Sequence, residues 1–513
     1  MQYDTAQLPD DPEQLKGIIR ELQKSNEELQ TKLDKALLEL QRITRLFEKF
    51  FNKSSEKLLL DQEKKKNKEP QTPENPESPK SQSKRGSKGG GGRNPLPPEL
   101  PRVEQIVEHD IPICDFCDTP FKCIGEERSE QLHFKPMELF VVVQILRKYI
   151  AACQCSEKRS ETVESPIRVD DKGVASNSLI AAIAVQKYMD HLPIARQSKQ
   201  LFRRAGVHLP ESSMCRWMGL AATICVPLYE LMHRLLYDGV YVQMDATNVK
   251  YLNPEIKGKA GLGTIWGYHG DLTSPYILYD FQTHGTRAGP AAFLKDYQRF
   301  VQCDASTVNR GLFVPDGDAP PLVPGTEIGC WSHGRRGFYQ ARILQPSSLE
   351  VLAMIGSLYG VERRAKKWMP EERLEIRQEK SVPMLDTIFE WCRANEAKFD
   401  LPTDLLGKAI RYALNQESVL RGYCTDGRLE IDNNAAERAL RLVAIGRKNW
   451  QFYGSANGGK TGAILHSILA SAHRHGLNEY EYLLDVLNVL SDLPSPATLH
   501  DLLPDRWKAK TAH

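Results

Sequence analysis

The run Gly239-Val240-Tyr241-Val242-Gln243-Met244-Asp245-Ala246-Thr247 constrains this chain more than any other stretch. Its β-branched and aromatic residues predict a buried strand that ends on Asp245. Arg299-Phe300-Val301-Gln302-Cys303-Asp304-Ala305 repeats the pattern 59 residues later and closes on Asp304. A carboxylate at the end of a core strand is expensive to keep unless it is paired or binds a cation, so two of them point to a hard divalent ion. Taken singly, each is also the ordinary polar residue that ends a strand. Asp271 and Asp280 lie on or near neighbouring strands, each beside a turn signal, and read as surface or strand-end residues.

A third carboxylate lies far downstream. Residues 429–441, Leu-Glu-Ile-Asp-Asn-Asn-Ala-Ala-Glu-Arg-Ala-Leu-Arg, read as a strand end, a cap and a helix. Asn434 stands three residues before Glu437, the spacing of a capping box, and a capping glutamate is the bland reading of Glu437. The other reading makes it an acidic ligand set among cations. Arg438 and Arg441 share its helix, and Gly446-Arg447-Lys448-Asn449-Trp450 follows.

At 513 residues, 41% apolar and 26% charged, the chain is long enough for several domains of ordinary globular composition. The amino terminus lacks a basic segment with an apolar signal core. The longest apolar runs, such as 139–143, fall far short of the roughly 18 residues a membrane span needs, so a cytoplasmic protein is expected. Eleven cysteines without an export signal argue for reduced thiols and metal ligation rather than a disulfide framework. The formal net charge of +2 does not announce a nucleic-acid binder, so phosphate contacts have to come from local basic clusters.

Leu15, Ile19, Leu22, Asn26, Leu29, Leu33, Ala36, Leu40, Ile43, Phe47 and Phe50 recur every four and three positions. This seam predicts a coiled coil over residues 1–60, and Asn26 at an a position predicts a parallel pair, hence a homodimer. One long amphipathic helix packed on its own domain is the alternative. Residues 61–98, with Lys64-Lys65-Lys66, scattered Pro and Ser and four glycines at 89–92, read as a flexible basic linker. In 99–172, Cys114-Asp115-Phe116-Cys117 and Cys153-Gln154-Cys155 predict a structural zinc site on Cys114, Cys117, Cys153 and Cys155, with Cys123 and His133 as substitute ligands. Residues 173–236 read as helices over 179–188, 194–205 and 212–222 with a break at Gly206. Helix, short turn, helix suggests a helix-turn-helix with Ser213, Arg216 and Trp217 on the reading helix; a plain bundle is the alternative. Strands to Asp245, over 264–268 and 276–281, a helix over 291–297, a strand to Asp304 and one over 327–331 follow. Residues 339–428 are helical in pattern.

Leu100-Pro101-Arg102, the cysteine cluster, Lys187-Tyr188-Met189-Asp190-His191-Leu192-Pro193, Cys330-Trp331-Ser332-His333-Gly334-Arg335-Arg336, Asp432-Asn433-Asn434-Ala435-Ala436-Glu437-Arg438 and Gly446-Arg447-Lys448-Asn449-Trp450 together resemble the DDE transposases of the insertion sequence 66 family, Tnp-C type. The last two motifs are very specific. The resemblance implies a multidomain α+β chain: N-terminal coiled coil, small zinc-binding module, helix-turn-helix domain, and a ribonuclease-H-like catalytic core over 237–338 and 429–475. The step of 133 positions from Asp304 to Glu437 exceeds a bare core and implies the α-helical insertion at 339–428; 476–513 is a helical tail. Asp245, Asp304 and Glu437 are then the catalytic carboxylates, holding two Mg2+ or Mn2+ ions. Arg335, Arg336, Arg438, Arg441, Arg447 and Lys448 are the implied phosphate clamps, with Arg216 in the DNA-reading helix. The implied partners are the terminal inverted repeats, target DNA and accessory proteins of the element, at the bacterial nucleoid. Two positions depart from the family pattern: Ala246, where a glutamate usually follows the first aspartate, and Gly334, where alanine is usual. A catalytically silent DNA-binding dimer, domesticated or repressing, and a ribonuclease-H-like nuclease without strand transfer are the competing functions.

Overall fold

The computed structural model describes residues 139–143, 148–150, 160–162, 168–170, 173–253, 260–315, 317, 319–399, 401, 403–492 and 495–509. The expected coiled coil, the basic linker and Cys114, Cys117, Cys153 and Cys155 lie outside them. Two short strands, β1 (Lys148–Ile150) and β2 (Ser160–Thr162), pair antiparallel within the expected zinc module.

Three helices come next. α1 (Asn177–Tyr188) starts where the Ser176 hydroxyl accepts from the Leu179 N–H at 3.3 Å. α2 (Ile194–Ala205) stops at Gly206, whose φ of 67° suits a residue without a Cβ. α3 (Glu211–Leu236) runs for 26 residues, well past the predicted 212–222, because its apolar face continues through Cys225, Leu228, Leu231 and Met232, all buried. Pro227 is accommodated inside it.

The main sheet has the order β5-β4-β3-β6-β7. β3 (Tyr241–Leu252), β4 (Ala260–Gly270) and β5 (Ile277–Gln282) form an antiparallel meander. After α4 (Ala288–Phe293), β6 (Phe300–Gln302) pairs parallel to β3; after α5 (Thr307–Phe313), β7 (Thr326–Ile328) pairs parallel to β6. This is a mixed α/β arrangement whose strand order and directions are compatible with a ribonuclease-H-like core. The helix expected over 291–297 is thus displaced to Ala288–Phe293. The strand expected over 327–331 stops at Ile328 because Trp331 opens a helix, its indole donating to the Leu420 carbonyl at 2.8 Å.

Strand alternation sorts side chains between the two faces of the sheet. Val242, Met244, Trp266, Tyr268 and Leu278 join one apolar core with α1, α2, α3 and the later helices α13 (Ala456–Arg474) and α14 (Glu479–Leu490). Helices α1 to α3 therefore share their core with the sheet rather than enclosing one of their own. Ile265, Tyr279 and Phe281 pack with Ala439, Leu440 and Val443 of α12 (Asn434–Trp450). Gly267 marks the closest approach of that helix, since a Cβ there would stand 3.0 Å from Leu440 Cδ2. β8 (Phe452–Tyr453) then pairs with the far end of β3, and α15 (Pro496–Asp501) follows α14. The outer edge of β5 is covered: Ser471 and Ser467, one turn apart on α13, accept from the Ile277 and Tyr279 N–H groups at 2.9 and 2.8 Å. No helix among the described residues is long and apolar enough to cross a membrane.

Between β7 and α12 runs a helical insertion made of α6 (Trp331–Ala341), α7 (Ser348–Ala365), α8 (Pro370–Ile376), a π turn (Arg377–Ser381), α9 (Val382–Glu396), α10 (Leu405–Asn415) and α11 (Glu417–Arg421). It has its own core of Phe338, Ile355, Leu385, Phe389, Leu406 and Ile410 among others. Arg377 is buried within it. Its guanidinium donates to both Glu362 oxygens at 2.9 and 2.7 Å and to the carbonyls of Tyr423, Asp426 and Leu429. Those carbonyls belong to the segment that returns to α12, so the network ties the insertion to the helix carrying Glu437.

Candidate active site

Asp245 lies within β3, not at its end. The ladder to β4 continues to Leu252, and Asp245 stands opposite Gly267, on the face that α12 covers. β3 and β6 pair Gln243 with Gln302; two residues beyond each, along parallel chains, come Asp245 and Asp304. Equal steps from a paired position bring two side chains to the same face and level. The Cys303 N–H, donating to the Ile328 carbonyl at 3.0 Å, keeps the chain extended past the end of β6. Asp304 Oδ1 then accepts from the Asn309 amide at 2.6 Å and from the Ser306 N–H at 3.2 Å.

Glu437 sits in the first turn of α12, but it does not close a capping box. The helix begins at Asn434 with Asn433 as its N-cap, so the third helical position is Ala436 and Glu437 lies one residue too far along. The Asn433 side chain donates instead to the Met244 carbonyl at 3.3 Å, and Asp432 Oδ1 takes the Asn434 N–H at 3.2 Å. Tyr359 of α7 donates to the other Asp432 oxygen at 2.9 Å. Two buried glutamines bolt this turn to the sheet. The Gln243 amide donates to Gln302 Oε1 at 2.9 Å and to the Asp432 carbonyl at 2.8 Å, while its own oxygen accepts from the Ala436 N–H at 3.3 Å. The Gln302 amide donates to the Glu430 carbonyl at 2.7 Å.

Burial pushes the Asp245 carboxyl up to about 6; the Ala246 N–H pulls it down, and the charges of Asp304 and Glu437 push it further up against Arg336. A half-buried carboxyl whose proton affinity is raised by two neighbouring carboxylates marks a place that a cation relieves. Glu437 Oε1 is buried without a hydrogen-bond partner, as is His333 Nδ1 at 3.6 Å from it. An orphaned carboxylate oxygen beside two further carboxyls fits hard, oxygen-seeking ions such as Mg2+ or Mn2+.

The predicted cations divide into two groups. Arg336, Arg438, Arg441 and Lys448 are exposed, and Arg335 lies 5.4 Å from the Tyr339 ring. Arg447 is engaged within the fold, donating to Thr247 Oγ1 at 2.6 Å and to the Asn248 carbonyl. Arg216 forms a forked pair with Asp170 at 3.0 and 2.6 Å, and the Trp217 indole donates to the same carboxylate at 2.7 Å. The Arg216 hydrogen bond, with that of Trp217, holds Asp170 below the usual carboxylate range. Asp271 accepts from the N–H groups of Val240, Thr273 and Ser274, and Asp280 from the Gln282 amide, so both are occupied away from the three carboxyls. Sequence reasoning assigned no role to Gln243, Gln302, Tyr359, Cys330 or His333. The one signal available was the spacing of Cys330 and His333, three residues apart at a helix start.

The family model described as "Transposase IS66 family" matches residues 172–461. Among curated proteins, the chain is 31% identical over 424 residues to the uncharacterized protein y4jD of Sinorhizobium fredii, covering 81% of this chain and 82% of that one. It is 28% identical to y4hP over 441 residues and 29% identical to y4qI over 420, both uncharacterized proteins of the same organism, with 82% and 80% of this chain and 78% and 76% of theirs covered.

Proposed function

Because the chain belongs to the transposase IS66 family, we propose that it acts as a DDE transposase, binding the terminal inverted repeats of its element and catalysing Mg2+- or Mn2+-dependent strand cleavage and strand transfer. The observation that carries this reading is that Asp245 and Asp304 each lie two residues beyond the Gln243–Gln302 pair of the parallel strands β3 and β6, with Asp304 and Glu437 both close enough to raise the Asp245 proton affinity. In this reading the three carboxylates hold the divalent ions, which when bound activate water or a 3′-hydroxyl and neutralise charge at the scissile phosphate. Asn309 fixes the direction of the Asp304 carboxylate. Arg335, Arg336, Arg438, Arg441 and Lys448 hold backbone phosphates in line for attack. Arg447 supports this surface from within by tying α12 to β3, and Arg216, exposed on α3 and oriented by Asp170, offers its guanidinium to DNA.

The test is incubation of the full chain with matched terminal-repeat DNA and Mg2+, followed by mapping of nicks and joined products. Nicks at the element ends and joined target strands are expected. Asp304→Asn should abolish both while leaving DNA binding largely intact, since the carboxylate reads no base. Nicks without joining would favour a nuclease, and binding without nicks a silent DNA-binding protein.

A further inference from the structure

Cys330, His333 and Glu437 meet at one corner of the site, and we propose that they form a binding site for a thiophilic divalent ion of the Zn2+ type, which shares Glu437 with the catalytic ions and silences the enzyme when filled. The proposal rests on the reading of Glu437 as a catalytic carboxylate. Cys330 immediately precedes α6 and His333 lies one turn along it, which brings both to the same side; Glu437 arrives from the first turn of α12. The Cys330 sulfur, a His333 ring nitrogen and a Glu437 oxygen all lie within 4.8 Å of one another. His333 Nδ1 and Glu437 Oε1 are 3.6 Å apart. A tetrahedral ion would set a nitrogen and an oxygen ligand about 3.4 Å apart, so these two atoms already stand near coordination spacing, and the sulfur has to close by at most about 1 Å.

Both atoms are buried without a hydrogen-bond partner, a state that a bound cation relieves. The donor chemistry separates this corner from the rest of the site. Three carboxylates suit hard ions, whereas a thiolate and an imidazole select zinc-like ones. One thiolate, one carboxylate and a neutral imidazole balance a 2+ charge and leave a fourth position for water. On binding, the Cys330 thiol releases its proton to solvent as the sulfur–metal bond forms. Burial pushes the Cys330 thiol up to about 12, opposed only in part by the Asn433 N–H, 3.5 Å from the sulfur, and by the adjoining helix start, so the thiolate forms only with the metal that displaces the proton. Glu437 cannot serve both ions fully, so occupancy here withdraws a ligand from the carboxylate set.

The experiment titrates the full chain with Co2+ as a coloured stand-in for Zn2+, comparing wild type with Cys330→Ser, both shown to unfold cooperatively on heating. Wild type should show thiolate-to-cobalt charge-transfer absorption exceeding that of Cys330→Ser by one equivalent; the difference cancels any contribution from cysteines elsewhere. Zn2+ should inhibit Mg2+-dependent cleavage of terminal-repeat DNA, and Cys330→Ser, measured against its own zinc-free rate, should need at least about tenfold more, the loss that removal of even an outer-shell partner brings. Identical cobalt spectra and identical zinc inhibition in the two proteins overturn the proposal. Should Cys330→Ser fail to fold, His333→Asn takes its place, with weakened cobalt uptake expected and unchanged uptake overturning it. The cobalt difference reads the site alone, so absence of cleavage in wild type counts against the transposase reading and leaves the metal site standing.

Discussion

At His466 the fold holds an imidazole, 1% exposed, of which neither nitrogen has a hydrogen-bond partner. It lies 4.9 Å from the ring of Tyr188 and 5.7 Å from that of Tyr279. Burial pushes its pKa down to about 3, and the neighbouring His191 and Lys187 add to the fall. The folded chain therefore binds fewer protons than the unfolded one between about pH 3 and the ordinary histidine value near 6.5, so stability is lost as pH drops below about 6.5 and is untouched by this group above it. Urea midpoints should fall from pH 7 to pH 5, this residue contributing up to about 1.4 kcal/mol per pH unit, and His466→Leu should flatten the slope. An unchanged slope in that variant would refute the account. Single residues were legible in the sequence where their neighbourhood was odd. Asp245 and Asp304 stood out as charges closing apolar runs, and Glu437 as an acid among arginines. Gln243 and Gln302 did not, because an isolated polar residue in a strand carries no mark of the partner 59 positions away. Cys330 and His333 sit more than a hundred residues before Glu437, and only the fold brings the three together.

The start of α12 is where elements of the chain converge. Its position depends on the amide ladder from Gln243 through Gln302 to the Glu430 carbonyl, and on Asn433 reaching the Met244 carbonyl. Gln302→Leu removes that link and leaves the Gln243 amide and the Glu430 carbonyl short of a partner, at an expected cost of about 1–3 kcal/mol in stability. Because the displaced element carries Glu437, kcat for cleavage should fall while KM for DNA stays near that of wild type; a pure stability loss with unaltered kcat would reduce the ladder to scaffolding. A second test reads the insertion. Glu362→Gln leaves the Arg377 charge buried without its counterion, and a loss of about 3–5 kcal/mol in a chemical denaturation series is expected. At this scale the sequence spoke clearly about element type and less clearly about ends. β3 was read to stop at Asp245, yet it continues to Leu252 because β4 and β8 supply partners that no local pattern announces. The capping-box spacing misled for a related reason: the Asn433 side chain, donating to the Met244 carbonyl of β3, accompanies a helix start one residue earlier than the Asn434–Glu437 pair suggests.

For the molecule as a whole, the step of 133 positions from Asp304 to Glu437 foretold a large insertion, and its helical pattern foretold the kind. The heptads of residues 1–60 lie outside the described residues, so their consequence is argued from the seam itself. With one polar residue, Asn26, in an otherwise apolar run of a and d positions, a parallel pair gains register specificity at some loss of stability. Two catalytic cores joined through 61–98, rich in Gly, Ser, Pro and Lys, would hold a second transposon end at high effective concentration near the first. Deleting residues 1–60 should then leave the remainder folded, with single-end binding nearly as in the intact chain and paired-end assembly sharply weakened. Asn26→Leu should broaden the oligomer distribution without unfolding the protein, because an apolar a position tolerates more than one strand number. Sedimentation of the intact and truncated chains, with and without terminal-repeat DNA, makes the comparison. Equal oligomeric state and equal end pairing in both would mean that the amphipathic helix packs within its own chain and that pairing arises elsewhere.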